Sequence, residues 1–366
     1  MSRTLRYTLL TLLWVLVGGY LLFAALSARR ARSGRLVERL EIEVADSSSR
    51  GCLVSSARVR EWIERSGTAT IGTAVDAVDL PALEGLIARN GFVSSAVAYV
   101  DYAGTLRITI TQRQPLLRLR TDGVDSYVTA EGYVFPAPKG SSLYVPVVTG
   151  SYAPPFPKGH AGSVRECVDA EIGRIAERIA ALEKEKYPLY QREIENDRRI
   201  AQLRRRRIKR QWWRFESAGD FERRVAELRR EKAILRRSYR YEARLIRQEI
   251  DALARRQEQE RLRQKKLEKS YEDFAKLLTF VESVESDAFW RSEVVQIVAR
   301  TTPAGALEID LVPRSGRHTV RFGRLEDAER KFDKLMRFYR GGLSRIGWEE
   351  FRTIDLRYND QVVCRK

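Results

Sequence analysis

The run VSSAVAYVDYAGTLRITITQ, from Val93 to Gln112, reads as two strands and the turn between them. Val93, Ser95, Val97 and Tyr99 alternate with small residues, Ala103-Gly104 reverses the chain, and Leu106, Ile108 and Ile110 alternate again. Period two is the mark of a half-buried strand. Just upstream, Asp79 is placed to cap a helix that has Pro81 in its first turn. Leu83, Leu86 and Ile87 are its apolar face, and Asn90-Gly91 is its stop. Before that, Ser55-Ser56 open a helix with Val59, Trp62 and Ile63 on one side, closed at Ser66-Gly67. Leu40, Ile42 and Val44 alternate with Glu41 and Glu43 as a first strand. The order is β-α-α-β-β over residues 36–113.

That order resembles a POTRA domain, a small module that handles extracytoplasmic protein partners. Further toward the N-terminus, Tyr7–Ala28 is an uncharged apolar run between Arg6 and Arg29. A helix of that length reaches ~33 Å, enough for the ~30 Å hydrocarbon core, and the run exceeds the apolar stretch of a cleaved signal peptide. We read residues 1–6 as a short cytoplasmic tail and 7–28 as a single transmembrane helix, with Leu9, Leu12, Trp14, Leu16, Tyr20, Leu22 and Phe23 facing lipid. Arg3 and Arg6 precede the run and Arg29, Arg30, Arg32 and Arg35 follow it, so taken literally the positive-inside rule keeps the large C-terminal part in the cytoplasm; long domains translocate largely regardless of flanking charge, which leaves the orientation open.

Downstream, residues 114–162 carry short β signals at Val124–Val128, Tyr133–Phe135 and Tyr144–Val148, separated by glycines. Residues 163–270 are different. Ile172, Ile175, Ile179 and Leu182 recur at coiled-coil spacing, Pro188 interrupts, and Ile194, Leu203 and Ile208 follow more loosely. Gly219 ends one arm and Asp220 caps the next, in which Phe221, Val225, Leu228, Leu235, Ile246 and Leu253 fall on heptad steps. Two arms of about 50 residues make an antiparallel hairpin. Residues 271–366 return to a mixed pattern. A helix spans Tyr271–Trp290, strands run over Val294–Ala299, Leu307–Val312 and His318–Phe322, and a further helix from Leu325 stops at Gly341-Gly342. Terminal strands include Ile354, Leu356 and Val363, and the last is expected to leave one edge free.

Charge and composition narrow the function. The 366 residues hold 67 Lys and Arg against 49 Asp and Glu, a formal +18. Residues 165–270 contribute 32 of those bases and 20 of the acids, so one segment produces most of the basic balance. Its arginines and Trp212-Trp213 superficially suggest a nucleic-acid patch, but the interspersed acids repel phosphate and no nucleic-acid partner is expected. Three cysteines and two histidines exclude a disulfide-stapled scaffold and a Cys- or His-rich metal site. No phosphate-binding glycine loop and no nucleophile elbow is present, so we expect no enzyme, no cofactor and no small-molecule substrate.

Across the chain, Arg113-Gln114-Pro115, Tyr127-Val128 with Gly132-Tyr133-Val134-Phe135, and Pro146-Val147-Val148-Thr149-Gly150 resemble the bacterial FtsQ/DivIB cell-division family. Asp287-Phe289-Trp290, Val312-Pro313-Arg314-Ser315-Gly316, Trp348 and the ending Ile354–Tyr358 with Gln361–Cys364 extend the resemblance, which covers roughly 1–150 and 270–366. It implies an α+β protein: one transmembrane helix, a POTRA-like domain, then a mixed β domain interrupted by the hairpin. It further implies a non-enzymatic scaffold in the inner membrane, with periplasmic domains, enriched at the division septum. Its partners would be FtsB- and FtsL-type coiled-coil proteins, bound by strand addition at the C-terminal sheet edge. Carried over by position, the contact surface is Trp348, Phe351, Ile354, Leu356, Tyr358, Gln361 and Val363. The hairpin lies outside the common pattern.

Overall fold

The computed structural model describes residues 13–24, 27, 35–45, 53–138, 142–210, 216–348, 350–359 and 361–366. Its N-terminal α+β region has β1 (Arg39–Val44), α1 (Ser56–Ser66), α2 (Leu80–Ala88), β2 (Val93–Val100) and β3 (Thr105–Gln112). The helix ends form where cap chemistry requires them. The Ser55 side chain accepts from the Arg58 N–H, the Asp79 side chain accepts from the Ala82 N–H, and Gly67 closes α1 at φ 70°. The sheet order is β1-β3-β2, with β1 parallel and β2 antiparallel to β3. Val59, Ile63, Leu83, Ile87, Leu106, Ile108 and Ile110 are all fully buried between sheet and helices.

One face assignment reverses. The pairing shifts between Val93 and Ser95, and beyond that bulge Ala96, Ala98 and Val100 turn toward the core. Val97 and Tyr99 are left exposed. A single extra residue moves every later side chain to the other face.

The two sequence halves flanking the helical segment complete one ten-stranded mixed sheet. Its strands are β4 (Pro115–Thr121), β5 (Val124–Thr129), β6 (Tyr133–Pro136), β7 (Val147–Gly150), β8 (Gly162–Ser163), β9 (Val294–Thr301), β10 (Leu307–Pro313), β11 (Thr319–Gly323), β12 (Thr353–Asp355) and β13 (Val363–Arg365). The order is β13-β12-β11-β10-β9-β7-β4-β5-β6-β8. β7 and β9 pair in parallel and join the halves. β4 is not among the strands the sequence pattern marks, because a proline stands at its first residue. Proline is tolerated at a strand's first residue, and Leu116, Leu117 and Leu119 bury both faces of β4. Tyr144 lies outside β7 and is exposed.

The helical segment contains α3 (Val164–Arg205) and α4 (Ala218–Ser286), so the second arm runs on past residue 270 with no break at Tyr271. The arms are 42 and 69 residues long, not equal. The contacts Arg178–Glu260, Arg247–Glu193, Asn196 to the Tyr239 carbonyl and Arg206–Glu231 make the pair antiparallel. Pro188 lies inside α3, which continues through it. The seam does not loosen there either. It passes through Val168, Ile172, Ile175, Ile179, Leu182, Lys186, Leu189, Glu193, Asn196, Ile200 and Leu203, alternating steps of four and three and buried or half-buried throughout. Ile194 is exposed, off the seam. Ser217, rather than Asp220, stands before α4 and its hydroxyl accepts from the Gly219 N–H.

Where the seam turns polar, the buried Lys186 ammonium donates to Gln257 and, at 3.4 Å, to Glu183, and Gln257 donates to Glu183 at 3.1 Å. Removing Gln257 takes from the buried Lys186 ammonium its closer partner and leaves only Glu183 at 3.4 Å, whereas replacing Lys186 and Gln257 together with apolar residues removes the desolvation cost. Gln257→Leu is therefore expected to destabilise the helical pair by about 2 kcal/mol, and Lys186→Leu with Gln257→Leu to restore or exceed the parent stability. Thermal unfolding followed by helical circular dichroism distinguishes the two; a double variant weaker than the single one contradicts the argument.

Residues 13–24 are helical, and Trp14, Leu16, Tyr20, Leu22 and Phe23 are exposed. Leu9 and Leu12 lie outside the described residues. Among the described residues no helix is long and apolar enough to cross a membrane. The chain divides into two units: the described residues of Met1–Ala153, Pro157–Val164 and Ala275–Lys366, and those of Pro154–Phe156 and Arg165–Phe274.

Candidate functional site

The strand order ends on β13, which pairs antiparallel with β12 on its inner side, Ile354 opposite Cys364. β12 in turn lies parallel to β11. Among the described residues no strand pairs the outer side of β13, so one row of backbone donors and acceptors is available there.

Two strands in from this edge, β11 packs on an aromatic cluster. Phe280, near the end of α4, stacks on Phe332 at 5.4 Å and meets Phe322 of β11 at 5.1 Å. Phe332 belongs to α6 (Ala328–Phe338), which follows α5 (Ala288–Glu293) with its buried Trp290 4.6 Å from Phe332. The helical path does not stop at Gly341-Gly342. It widens into a π turn at Tyr339–Leu343 and ends only at Gly347, φ 113°. Glycine at 342 serves close approach, because a Cβ there would sit 2.8 Å from the Phe338 ring. The widened turn brings Tyr339 to 5.0 Å from Trp348.

The link from β12 to β13 is held by charge. Arg357 donates to both Asp355 oxygens at 2.9 and 2.6 Å. Burial alone would raise the Asp355 pKa, but the Arg357 hydrogen bonds and charge hold it below the usual carboxylate value. Lys334 of α6 donates to the carbonyls of Leu356 and Tyr358, and Lys366 pairs with Glu350 at 3.0 Å. Gly323 makes room: a Cβ there would lie 2.6 Å from Arg357 Cγ.

The seven residues assigned to the contact surface occupy three situations. Ile354 and Leu356 are in the core, 0% and 1% exposed, so their side chains support the edge from beneath. Trp348 and Phe351 are half-buried against the aromatic cluster. Tyr358 and Gln361 are exposed and Val363 is half-buried on β13 itself. Among the described residues no group of three His, Cys, Asp or Glu side chains is placed to hold a metal ion.

Residues 255–365 match the family model described as FtsQ/DivIB, C-terminal related. Residues 35–111 match the model of the POTRA-like domain. No individual curated protein matches the chain. The chain is thus related to the FtsQ/DivIB family, without the match making it FtsQ itself, and the two domain types point to a division- or envelope-related protein. Domains of both types are typically non-catalytic.

His318, at the start of a strand in the sequence reading, sits beneath this site. It is 1% exposed, and its Nε2 is 3.0 Å from the Tyr339 hydroxyl. Burial pushes its pKa below the ordinary 6.5, offset in part by the Glu293 carboxylate and the Trp348 backbone. A histidine kept neutral in the fold but protonated when unfolded costs stability once the pH falls below its unfolded value. Stability is therefore full above pH ~6.5 and lost on acidification below it, with a slope of at most about 1.4 kcal/mol per pH unit. Below pH ~4 the paired Asp355 adds its own loss, since its folded pKa is depressed. Chemical denaturation of His318→Gln is expected to flatten the profile just below pH ~6.5; an unchanged slope there contradicts the assignment.

Proposed function

We propose that this chain is a non-enzymatic, membrane-anchored scaffold of the bacterial division machinery. In this reading residues 7–28 form the single transmembrane helix, and the POTRA-like domain and the sheet are periplasmic. The outer side of β13 takes up a strand from an FtsB- or FtsL-type partner. The observation that carries the reading is the unpaired outer edge of β13, backed by the aromatic cluster and clamped by Arg357–Asp355. Strand addition draws affinity from backbone hydrogen bonds and register from alternate side chains. Val363 lies on the edge strand, and the exposed Tyr358 and Gln361 flank it from the link that precedes β13; Ile354 in β12 and Leu356 just after it anchor the edge in the core, and Trp348 with Phe351 closes the end.

A C-terminal fusion to a reporter active only outside the cytoplasm, combined with imaging of a fluorescent fusion, tests the proposal. Reporter activity and mid-cell bands are expected. A uniform envelope signal points instead to a POTRA-bearing assembly or secretion protein, and an inactive C-terminal reporter overturns the periplasmic placement.

A further inference from the structure

The basic charge of the helical pair is not spread along it. In residues 198–240, the end where α3 and α4 are joined, there are 17 Lys and Arg and five Asp and Glu, a net +12 of the chain's +18. The rest of 165–270 holds 15 of each sign and is neutral. Averaging over the segment hides this, and with it the objection that acids repel phosphate. Of the 17 bases, 15 are arginine, the side chain whose planar fork matches phosphate oxygens two at a time.

The same end carries a second feature, on the face of α4 turned away from the seam. Taking 100° per residue, Arg230, Ile234, Arg237, Tyr241, Arg244 and Leu245 fall within one stripe about 100° wide. Leu228, Leu235, Tyr239 and Ile246 lie on the opposite side, toward α3. Ile234 is 70% exposed, Tyr241 59% and Leu245 42%. Arg230, Arg237 and Arg244 are exposed, and no ion pair joins them to any described residue. The Arg244 guanidinium lies 5.9 Å from the Tyr241 ring centre. No acid falls within the stripe between residues 230 and 245.

We propose that this stripe docks on an anionic phospholipid surface, its arginines on the headgroup phosphates and Ile234, Tyr241 and Leu245 in the interfacial layer. Charge complementarity selects a polyanion, and the exposed aliphatics select a membrane among polyanions, because Ile234 and Leu245 have nothing to bind on a nucleic-acid backbone. A partner helix fits poorly: the 3–4 series Arg230, Ile234, Arg237, Tyr241, Arg244 would put a guanidinium in every second layer of its seam. The proposal is independent of the β13 edge and of its partner.

The full-length protein is held in phosphatidylcholine nanodiscs, which cover the apolar 13–24 helix, and mixed with vesicles of phosphatidylcholine alone or with added phosphatidylglycerol. Binding only to the phosphatidylglycerol vesicles is expected. At roughly fivefold per arginine, R230Q/R237Q/R244Q weakens it ~100-fold, and I234S alone weakens it several-fold. R255Q/R256Q/K265Q, at the neutral end, leaves it unchanged, and circular dichroism reports that each variant retains its helix. Unchanged binding by the triple variant overturns the proposal. So does tighter capture of duplex DNA than of vesicles with no effect of I234S, which would make the arginines a nucleic-acid site.

Discussion

Removing Asn359–Lys366 is expected to abolish capture of an FtsB- or FtsL-type partner while leaving the POTRA-like region folded. The deletion removes β13 and with it the row of backbone groups that no strand among the described residues pairs. Strand addition over three or four residues makes two to four main-chain hydrogen bonds, each worth about 1 kcal/mol net, so losing the edge lowers affinity by ~100-fold or more. Proline separates loss of the edge from loss of the fold. Adjacent residues in a strand direct their N–H groups to opposite sides, so one of Val363→Pro and Cys364→Pro blocks the outer row and the other breaks pairing to β12. The outer variant is expected to lose the partner at nearly unchanged stability. Undiminished partner capture by the outer-row variant would exclude edge addition.

The second large effect concerns the support. Phe322 on β11 is fully buried between Phe280 and Phe332, each 5.1 Å away ring to ring. Truncation to alanine leaves a cavity walled by α4, α6 and the sheet, none of which is free to collapse into it. Phe322→Ala is expected to cost about 3–5 kcal/mol in denaturant unfolding of the sheet unit. It should also release the Trp290, Tyr339 and Trp348 rings from their fixed contacts, visible as lost near-ultraviolet dichroism. A cost below about 1 kcal/mol would mean that the aromatic cluster does not brace the edge.

Much of the fold was legible because it depends on local chemistry. Ser55, Gly67 and Asp79 cap and stop helices through their own backbone geometry, and all three were placed from the residues alone. What escaped depends on neighbours. The bulge at Val93 and Ser95 inverts a strand's faces without any change in the pattern of residues. Pro188 forfeits one hydrogen bond inside a 42-residue helix whose packing more than offsets it. The coiled-coil seam vanished from view at Lys186 and Asn196 because apolar identity marks a seam only until a buried polar layer replaces it. The π turn at Tyr339–Leu343 runs straight through the glycine pair, which the sequence marks as a stop. At the site, the free edge was visible in outline, but separating the core residues Ile354 and Leu356 from the exposed Tyr358 and Gln361 required the register of β11, β12 and β13.

Hydrogen exchange of the full-length protein, with and without its coiled-coil partner, addresses the main claim at single-strand resolution. The account predicts that partner binding slows exchange of the outward-facing amides within Val363–Arg365 while β2 and β3 exchange as before. Protection confined to the POTRA-like region, with β13 amides exchanging at their free rate, would contradict it.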